Sequence, residues 1–575
     1  MHRASEPPVQ IKERPLHPSR IAALTAQGIH PVLARVFASR DIDSAAQADT
    51  GLEGLLAPDA LHNAHEAARW LFEAITRGEK LLVIADYDAD GATACAVALR
   101  GLARFGARVE FLVPDRFAFG YGLTPALVEH ALDLHRDDPF QRIITVDNGI
   151  SSHAGVDRAK ASGVHVLVTD HHLPGPTVPD CLIVNPNQNG CPFPSKHLAG
   201  VGVMFYVLLA LRSHVRDIAQ WPKERIPRMD DLLPIVALGT VADVVRLDAN
   251  NRRLVAQGLQ RLRKGSFPGL NALFQVATVD QRQANAGHLG FAIGPRLNAA
   301  GRLSDMSIGI RCLLEDDADA AMALADQLDA LNRERREIES SAHEDAVEHA
   351  VGLMTGQRQP MGIVLHDAQW HQGVIGLIAG RLKERFYRPT IVFANDSTTG
   401  QLKGSCRSIP GVHIRDVLER IDTQHPGLIR AFGGHAMAAG LTLAADALGP
   451  FTDIFDQTLR AFTDPTVLER VLETDGHLPE EYLRLDVAQL LTDQVWGQGF
   501  APPVFVNEFR VLSQRRLKDV HLKLVLSPIA QTARIEAIWF NATTDLPASA
   551  RLAYRLATND WQGRTSLQLE VVSLA

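Results

Sequence analysis

A chain of 575 residues is too long for one hydrophobic core, and we expect three or four domains. Its hydrophobic content of 46% is ordinary for a soluble globular protein, no apolar run approaches the ~20 residues that span a bilayer, and the five scattered cysteines predict neither a disulfide framework nor a zinc site. The net charge of −8 argues weakly against a general polyanion binder, although residues 505–575 carry nine basic against six acidic side chains and leave a nucleic-acid partner open.

Residues 1–60 contain several prolines and no sustained period, which predicts a tail followed by short helices. The polar N-terminus does not resemble a signal peptide, so we expect a cytoplasmic protein. A predicted helix at 64–76 leads into Leu-Leu-Val-Ile-Ala at 81–85, a continuous apolar run typical of a strand buried on both faces. Further apolar runs lie at 108–113, 142–146, 164–169 and 181–184. Strands alternating with helices predict a doubly wound parallel sheet in an α/β domain at 61–317.

Two wholly apolar segments, at 198–211 and 231–239, are expected to be buried helices of this domain. Residues 318–350 lack Gly and Pro and oppose an apolar stripe to a charged face, which predicts one long connecting helix. A smaller α/β domain should follow at 351–465, with strands near 362–366 and 390–394. At 466–575, five short β-rich segments separated by turns predict a small β-barrel.

Three carboxylates, Asp86, Asp88 and Asp90, directly follow the first strand, and Gly91 permits a turn. Open α/β folds bind ligands at the carboxyl ends of their strands, and clustered like charges repel unless a cation joins them, so a divalent metal is the simplest candidate. The run also matches half of an EF-hand loop, but Val97 stands where that loop needs Glu. A solvated acidic turn is the other alternative.

Other strand ends carry similar groups: Asp147 after one strand, and Asp170, His171 and His172 after another, while Asp243 follows a buried helix. Such ends converge on one edge of a parallel sheet. Mixed carboxylate and imidazole ligands suit Mn²⁺ or Mg²⁺. Two ions bridged by an acid could activate water and hold both oxygens of a phosphoryl displacement. The sequence has no P-loop or nucleophile elbow to support other hydrolytic mechanisms.

In this order, Asp86-Tyr-Asp-Ala-Asp-Gly, Val146-Asp-Asn-Gly, Asp170-His-His and Ala242-Asp243 resemble the four motifs of the DHH phosphoesterase family. Phe432-Gly-Gly-His-Ala-Met-Ala-Ala-Gly440 is similar to the glycine-rich motif of the associated DHHA1 domain. Within the family the chain most resembles the single-strand-specific 5′→3′ exonucleases, and the likeness extends to the segments 294–302, 370–376 and 404–408. The predicted barrel is similar to their OB-fold. The resemblance covers roughly residues 60–460 strongly, and the barrel less so.

The resemblance implies two divalent ions, Mn²⁺ or Mg²⁺, and assigns most of the polar strand ends to them. The implied metal ligands are Asp86, Asp88, Asp147, His171 and Asp243, with Asp147 as the bridge and Asp90 supporting the site or sharing a metal. His172 would face the scissile phosphate, and Asp170 would orient neighbouring groups. Many relatives also have a His near the first motif, but Val83-Ile-Ala85 stand here, so one ion would have fewer protein ligands.

The same resemblance implies a pocket for the 5′ end made by Arg116, Ser405 and Arg407. Further candidates for substrate binding are Tyr121, Arg296, Asn298, Arg302, His371, Gly433, Gly434 and His435. His371 and His435 are equally interpretable as structural histidines, and the two glycines as an ordinary tight turn. Arginines suit phosphates, an exposed tyrosine suits base stacking, and glycines let the main chain approach a ligand closely.

The resulting expectation is a monomeric, metal-dependent exonuclease that degrades single-stranded DNA from its 5′ end to mononucleotides in repair and recombination. A single-strand-binding protein and a helicase are the implied partners, and no membrane is involved. One alternative is a phosphodiesterase of cyclic dinucleotides or very short oligonucleotides, which would not need the barrel. The other is a non-enzymatic replication scaffold, which the complete set of acids and histidines disfavours. A pyrophosphatase is weaker still, given the barrel.

Overall fold

The computed structural model describes residues 9–575 apart from 116–117, 357, 397–398, 519, 543 and 562–563. Its N-terminal segment contains strand β1 (Val9–Glu13) and helices α1 (Pro18–Ala26), α2 (Pro31–Ala38) and α3 (Ala45–Ala48). The predicted short helices are present. The strand was not predicted, because β1 pairs in parallel with Arg470–Thr474, a segment far away in the sequence.

The first domain is built on a parallel sheet of five strands with helices on both faces. The strands are β2 (Lys80–Ala85), β3 (Arg108–Leu112), β4 (Arg142–Val146), β5 (His165–Thr169) and β6 (Leu182–Val184), in the order β3-β2-β4-β5-β6. Strands β2 and β4 are buried along their whole length, as their continuous apolar sequences require. The predicted doubly wound parallel sheet is confirmed.

Helices of the first domain cover the sheet and extend beyond it. They are α4 (Ala64–Arg77), α5 (Ala89–Arg104), α6 (Pro125–Leu134), α7 (His153–Ala161), α8 (Gly200–Asp217), α9 (Leu233–Ala242), α10 (Ala249–Leu262), α11 (Pro268–Val276), α12 (Ala286–His288), α13 (Gly294–Leu303) and α14 (Ser307–Leu314), with a π-helical turn at Leu289–Ile293. Helices α8 and α9 are apolar nearly all round and largely buried, so they form the centre of the core.

The connecting helix α15 (Ala318–Met354) is longer than predicted and reaches from the first domain to the second. The second domain contains β7 (Ile363–His366), α16 (Ile375–Phe386), β8 (Thr390–Asn395), β9 (Leu402–Arg407), α17 (Ile414–Gln424), β10 (Ala431–Gly434), β11 (Ala438–Leu443) and α18 (Leu448–Phe462). Its sheet has the order β10-β11-β9-β8-β7, and only β7 and β8 run parallel. The two strands expected from apolar runs, β7 and β8, are therefore extended by an antiparallel edge.

The C-terminal part closes into the predicted barrel. Strand β12 (Arg470–Thr474) and helix α19 (Leu485–Thr492) precede the barrel. The barrel strands are β13 (Phe505–Leu517), β14 (His521–Pro528), β15 (Ile535–Trp539), β16 (Ser549–Trp561) and β17 (Arg564–Leu574). The barrel order is β13-β14-β15-β17-β16, and its core contains the fully buried rings of Phe505, Phe509 and Tyr554. The five cysteines are all free. Within the described residues, no helix combines the length and apolar character needed to cross a bilayer.

A buried ion pair joins the two ends of the chain. Arg40, after α2, donates two hydrogen bonds to the Asp475 carboxylate, at 2.6 and 3.0 Å, and the two side chains are only 4% and 1% exposed. The same carboxylate accepts hydrogen bonds from the Ser39 hydroxyl at 3.1 Å and from the Val504 amide at 3.2 Å. The N-terminal helices and the barrel are therefore held together by a charge pair removed from solvent.

Candidate metal centre and substrate groove

The turn after β2 places its acidic side chains at the N-terminus of α5. Asp88 caps that helix, because its Oδ1 accepts hydrogen bonds from the amides of Asp90 and Gly91 at 2.9 and 3.0 Å. A Cβ at Gly91 would lie 2.4 Å from the Asp86 carbonyl oxygen, so only glycine allows the turn to be this tight. The sequence folds this way because a capping acid and a glycine follow a buried strand.

Asp147 directly follows β4 and has an unusual backbone conformation. Its φ of 63° is left-handed, which Asp tolerates better than most residues, and the side chain is buried. Helix α8 begins directly against it, since a Cβ at Gly200 would lie 2.5 Å from the Asp147 Cβ. A strained residue held by its surroundings is typical of a functional site.

Asp170 orients the two histidines that follow it. Its Oδ1 accepts hydrogen bonds from the amides of His171 and His172 at 2.7 and 3.0 Å and lies 2.7 Å from His172 Nδ1. Its Oδ2 accepts a hydrogen bond from the Ile150 amide at 2.9 Å. Burial lowers the pKa of His172, but the Asp170 hydrogen bond and the negative charges of Asp170, Asp86 and Asp88 together outweigh it and raise that pKa to about 9. Both Asp170 oxygens are thus engaged within the protein.

The groups at separate strand ends meet in space. His171 Nε2 lies 3.1 Å from Asp147 Oδ1 and 3.5 Å from Asp243 Oδ2. Ligand atoms lie within 4.8 Å of one another in three groups: Asp86, Asp88 and Asp147; Asp90, His171 and Asp243; and Asp147, His171 and His172. Asp147 and His171 each belong to two of these groups, and of the two only Asp147 has a pair of carboxylate oxygens with which it could contact two cations.

The donor set fits divalent cations. Asp147 Oδ1, His171 Nε2 and Asp243 Oδ2 are buried and, among the described residues, have no hydrogen-bond partner. Burial, followed by repulsion between carboxylates, raises the pKa of Asp147 and Asp243 well above the usual range. Burial lowers the pKa of His171 to about 4, which leaves the neutral imidazole that metal ligation requires. Buried anions without partners are stabilised when a cation joins them.

Asp90 has a second role. Its carboxylate accepts hydrogen bonds from the amides of Gly200 and Val201, at 2.5 and 2.9 Å, and therefore holds the N-terminus of α8. One of its oxygens still lies 4.0 Å from His171 Nε2. Burial is also the first cause that raises the pKa of Asp90, to about 7. Asp90 therefore holds the start of α8 and also lies close to the converging ligand atoms.

Helix α13 supports the acidic turn. Asn298 Oδ1 accepts a hydrogen bond from the Ala89 amide at 2.9 Å, and a Cβ at Gly301 would lie 1.8 Å from the Tyr87 carbonyl oxygen. Arg296 is buried and pairs with Asp329 of α15 at 2.9 Å. Asn298 and Arg296 were expected to grip substrate, but the structure gives both of them contacts inside the protein, so we leave them out of the groove.

Arg302 and His371 mark the contact between the two domains. Arg302 Nη1 donates a hydrogen bond to the Gly373 carbonyl oxygen at 3.0 Å, and His371 Nδ1 accepts one from the Gly373 amide at 3.0 Å. A Cβ at Gly373 would lie 2.5 Å from the Arg302 carbonyl oxygen, so the two backbone segments approach each other closely here. These two side chains therefore lie where the first and second domains meet.

Ser405 and Arg407 lie together on β9, over the first turn of α16. Arg407 Nη1 donates a hydrogen bond to Ser405 Oγ at 3.1 Å, and a Cβ at Gly376 would lie 2.9 Å from each of the two side chains. A guanidinium and a hydroxyl beside a helix N-terminus form a site for an anion such as a phosphate. Arg116, the third predicted member of this pocket, is outside the described residues.

Two further predicted residues surround His172. The Tyr121 hydroxyl lies 3.3 Å from His172 Nδ1, and Tyr121 is half exposed. The His435 ring lies 6.1 Å from the His172 ring, between centroids. His435 is carried by the hairpin of β10 and β11, in which Gly433 is exposed and Gly434 has a φ of 137° that excludes other residues. The second domain thus faces the metal centre.

Two asparagines of the site were missed by the sequence reasoning. Asn187 Nδ2 donates a hydrogen bond to the His171 carbonyl oxygen at 2.6 Å, and Asn185 Nδ2 donates one to the His172 carbonyl oxygen at 2.9 Å. Both lie just after β6, so their position at a strand end was a signal that could have identified them. These two side chains therefore fix the backbone of the turn that carries His171 and His172.

Comparisons with known proteins agree with this geometry. The sequence matches the DHH family, N-terminal domain, over residues 80–240, the DHHA1 domain over 359–461 and the RecJ OB domain over 474–573. It is 45% identical to the single-stranded-DNA-specific exonuclease RecJ of Escherichia coli (strain K12), over 97% of this chain and 98% of that protein. The protein of the same name from Bacillus subtilis (strain 168) is 33% identical, over 97% of this chain and 69% of that protein. The crystal structure of RecJ in complex with Mn²⁺ from Thermus thermophilus superposes with a TM-score of 0.81 at 29% identity, over 98% of this chain and 79% of that one.

Proposed function

Because this chain belongs to the RecJ family of single-stranded-DNA-specific exonucleases, we propose that it releases mononucleotides from the 5′ end of single-stranded DNA through the residues described above. It is a metal-dependent exodeoxyribonuclease of DNA repair and recombination, and its cofactor is a pair of divalent ions, Mn²⁺ or Mg²⁺. The observation that carries the proposed mechanism is the convergence of buried, unpaired acid and imidazole atoms on one point.

Asp86, Asp88 and Asp147 would hold one ion. His171, with Asp147 and Asp243 3.1 and 3.5 Å from its Nε2, would hold the other, with Asp90 nearby. The chemistry that such ions supply is Lewis acidity, which polarises phosphoryl oxygens and eases the ionisation of water. The carboxylates keep each position fixed, because their own backbone contacts hold them before substrate arrives. Asp147 would be the ligand that the two positions have in common.

His172 is the group we propose beside the scissile phosphate. Asp170 engages its Nδ1, so Nε2 is the nitrogen that remains for a phosphate oxygen. Tyr121 and His435 flank the ring on the open side. A fixed hydrogen-bond donor aimed at developing charge stabilises a transition state without reorganisation. Asp170 is therefore a positioning residue, and His172 the group that contacts the reacting phosphate.

The Ser405–Arg407 pair is proposed to bind the 5′-terminal phosphate, together with Arg116. An anion site at one end of the groove would fix where the strand begins, so that the metal centre meets the first phosphodiester bond. This arrangement explains removal of single nucleotides instead of internal cleavage. The hairpin of Gly433, Gly434 and His435 would approach the terminal nucleotide from the other side.

Arg407→Ala is expected to raise KM for a 5′-phosphorylated single strand by about tenfold or more, the effect of losing a charged hydrogen bond. A strand with a 5′-hydroxyl should bind the variant and the wild type similarly, because the lost contact is made to the terminal phosphate. Steady-state digestion of the two substrates measures the difference. Arg420→Ala is the control. Arg420 lies on α17 of the same domain, and its guanidinium stacks 3.9 Å from the ring centroid of Phe462. Equal KM changes for both substrates would contradict the assignment.

Gly301→Ala is expected to lower kcat about 100-fold, because the new methyl group collides with the Tyr87 carbonyl and displaces the acidic turn. Gly380→Ala in α16 is the matched control, as no atom lies within 4 Å of its added methyl group. Digestion rates and thermal midpoints in Mn²⁺ give the comparison. A Gly301→Ala enzyme within twofold of the wild type would show that α13 does not position the turn.

The function as a whole is tested with end-labelled 30-nucleotide single strands and blunt duplexes, in Mn²⁺, Mg²⁺ or chelator. We expect label at the 5′ end to appear at once as mononucleotide, only from the single strand and only with metal. Label at the 3′ end should be released last. Short internal fragments, or equal digestion of the duplex, would contradict a 5′→3′ single-strand exonuclease.

We further propose that the chain works as a monomer in the cytoplasm, with a single-strand-binding protein and a helicase as partners. Family membership supports this proposal, since an enzyme that accepts only single strands depends on unwinding. The proposed division of labour assigns catalysis to 61–317, connection to 318–350, substrate binding to 351–465 and single-strand binding to 466–575.

A further inference from the structure

Phe291 is the most exposed of the large hydrophobic side chains in the described part of the chain, at 85%. It lies in the π-helical turn Leu289–Ile293, whose two end residues are fully buried and anchor the turn. A π-helical turn of this kind is rare and is frequently found at functional sites. An aromatic ring presented to solvent on a firmly anchored turn points to a ligand that covers it.

The π-helical turn packs against the end of α9. A Cβ at Gly290 would lie 3.3 Å from Val241 Cγ1, and one at Gly294 would lie 3.1 Å from Ala242 Cβ. Asp243 directly follows the last residue of α9, and its carboxylate is one of the converging groups of the proposed metal centre. Phe291 is therefore carried by a segment in direct contact with the last turn before a metal ligand.

Val244, the residue after Asp243, adds a second apolar group at this edge. It is 63% exposed and has a φ of 59°, a conformation that a β-branched side chain strongly disfavours. The loop that it begins then reaches the segment before the barrel, where the Leu247 amide donates a hydrogen bond to the Gln498 carbonyl oxygen at 2.8 Å. One short loop thus connects the metal cluster to the approach of the barrel.

Charge alone does not decide what kind of contact can hold a strand here. Five carboxylates lie in the converging groups, and the two divalent ions proposed there would offset their charge. Proteins bind single strands without sequence preference by stacking bases on aromatic faces, which requires no charge. An exposed phenyl ring suits a nucleobase better than a phosphate, because it offers a flat apolar face and no hydrogen-bond donor.

We propose that Phe291 is a stacking platform for a nucleobase of the bound strand, on the 3′ side of the scissile bond, with Val244 as an apolar contact on the adjoining loop. The proposal rests on the proposed function, since it requires a single strand that runs from the metal centre towards the barrel. Phe291 acts in binding and not in bond cleavage. Its loss therefore affects KM more than kcat.

The test compares Phe291→Ala, Phe291→Leu and Phe291→Trp with the wild type on a 5′-phosphorylated 30-mer in Mn²⁺. We expect KM to rise about tenfold in the Ala and Leu variants, which lack an aromatic face, and to stay within about threefold in the Trp variant. Phe462→Ala is the control, because Phe462 is 54% exposed on α18 of the second domain. A Leu variant with the KM of the wild type would overturn stacking.

Substrates with a single abasic position, moved stepwise from the 5′ end, locate the stacked base. We expect one position, or two adjacent ones, at which the missing base raises KM for the wild type about tenfold but leaves KM of Phe291→Ala unchanged. Equal effects on both enzymes at every position would overturn the proposal. A wild-type enzyme that does not digest the intact strand would instead overturn the proposed function, so the two failures are distinguishable.

Discussion

Asp147→Asn is expected to lower kcat on single-stranded DNA by about 1,000-fold or more, equivalent to about 4 kcal/mol of transition-state stabilisation. Asp147 and His171 are each shared by two groups of converging ligand atoms, and Asp147 is the carboxylate of the two. An amide cannot supply the charge with which that carboxylate would join two cations. The isosteric change keeps the side-chain volume, so the loss is not attributable to a packing defect. Initial rates in saturating Mn²⁺ measure it directly.

A second readout separates lost chemistry from lost structure. Burial raises the pKa of Asp147 above its unfolded value, so at neutral pH its ionised form destabilises the metal-free protein. In chelator, Asp147→Asn should therefore melt at a temperature equal to or higher than the wild type. Added Mn²⁺ should raise the midpoint of the wild type and change that of the variant much less.

The control for this change is Asp180→Asn, because Asp180 is an exposed acid of the same domain, paired with Lys160 at 2.6 Å. Its rate and its response to Mn²⁺ should equal those of the wild type. An Asp147→Asn enzyme with undiminished metal-dependent activity would remove Asp147 from the metal centre, and with it the shared-ligand mechanism.

Asp475→Asn is expected to give the largest loss of stability, about 3 to 5 kcal/mol in the unfolding step that releases the barrel. The change leaves the Arg40 guanidinium buried at 4% exposure without its counter-charge. Trp496 reports on the same place, since Arg40 lies 5.5 Å from its ring centroid. Its fluorescence during urea unfolding should show the midpoint move to lower urea.

Glu473→Gln serves as the matched control. Glu473 pairs at 2.9 Å with Arg14, the residue after β1, but is half exposed, and such a pair contributes less than about 1 kcal/mol. The double variant Arg40→Met with Asp475→Leu should recover much of the stability, because it removes both charges together. If Asp475→Asn and Glu473→Gln shifted the midpoint equally, the buried pair would not be what holds the barrel in place.

Much of the architecture follows from local patterns. The buried strands β2 and β4 were predictable because an uninterrupted apolar run has no other stable place than the interior of a covered sheet. The connecting helix was predictable because more than thirty residues, 318–350, lack a helix breaker. The acids and histidines of the metal centre were predictable for a related reason, since the ends of parallel strands must meet at one edge.

Other features depend on contacts between residues far apart in the sequence. Strand β1 exists because Arg470–Thr474 lies beside it. Arg296 contacts the connecting helix and Asn298 the acidic turn because α13 packs between these two segments. The same holds for Asn185 and Asn187, which are ordinary strand-end residues until the fold places them behind the histidines.

By itself, then, the sequence determined which elements form and which chemical groups stand at their ends, because periodicity and turn residues act over a few positions. Only the tertiary structure decided which of these groups converge within ligand distance, which hold one another in place, and that Phe291 is left exposed on a turn packed against the end of α9. The physical reason is that burial and partner choice are properties of packed surfaces, to which each segment contributes only a part.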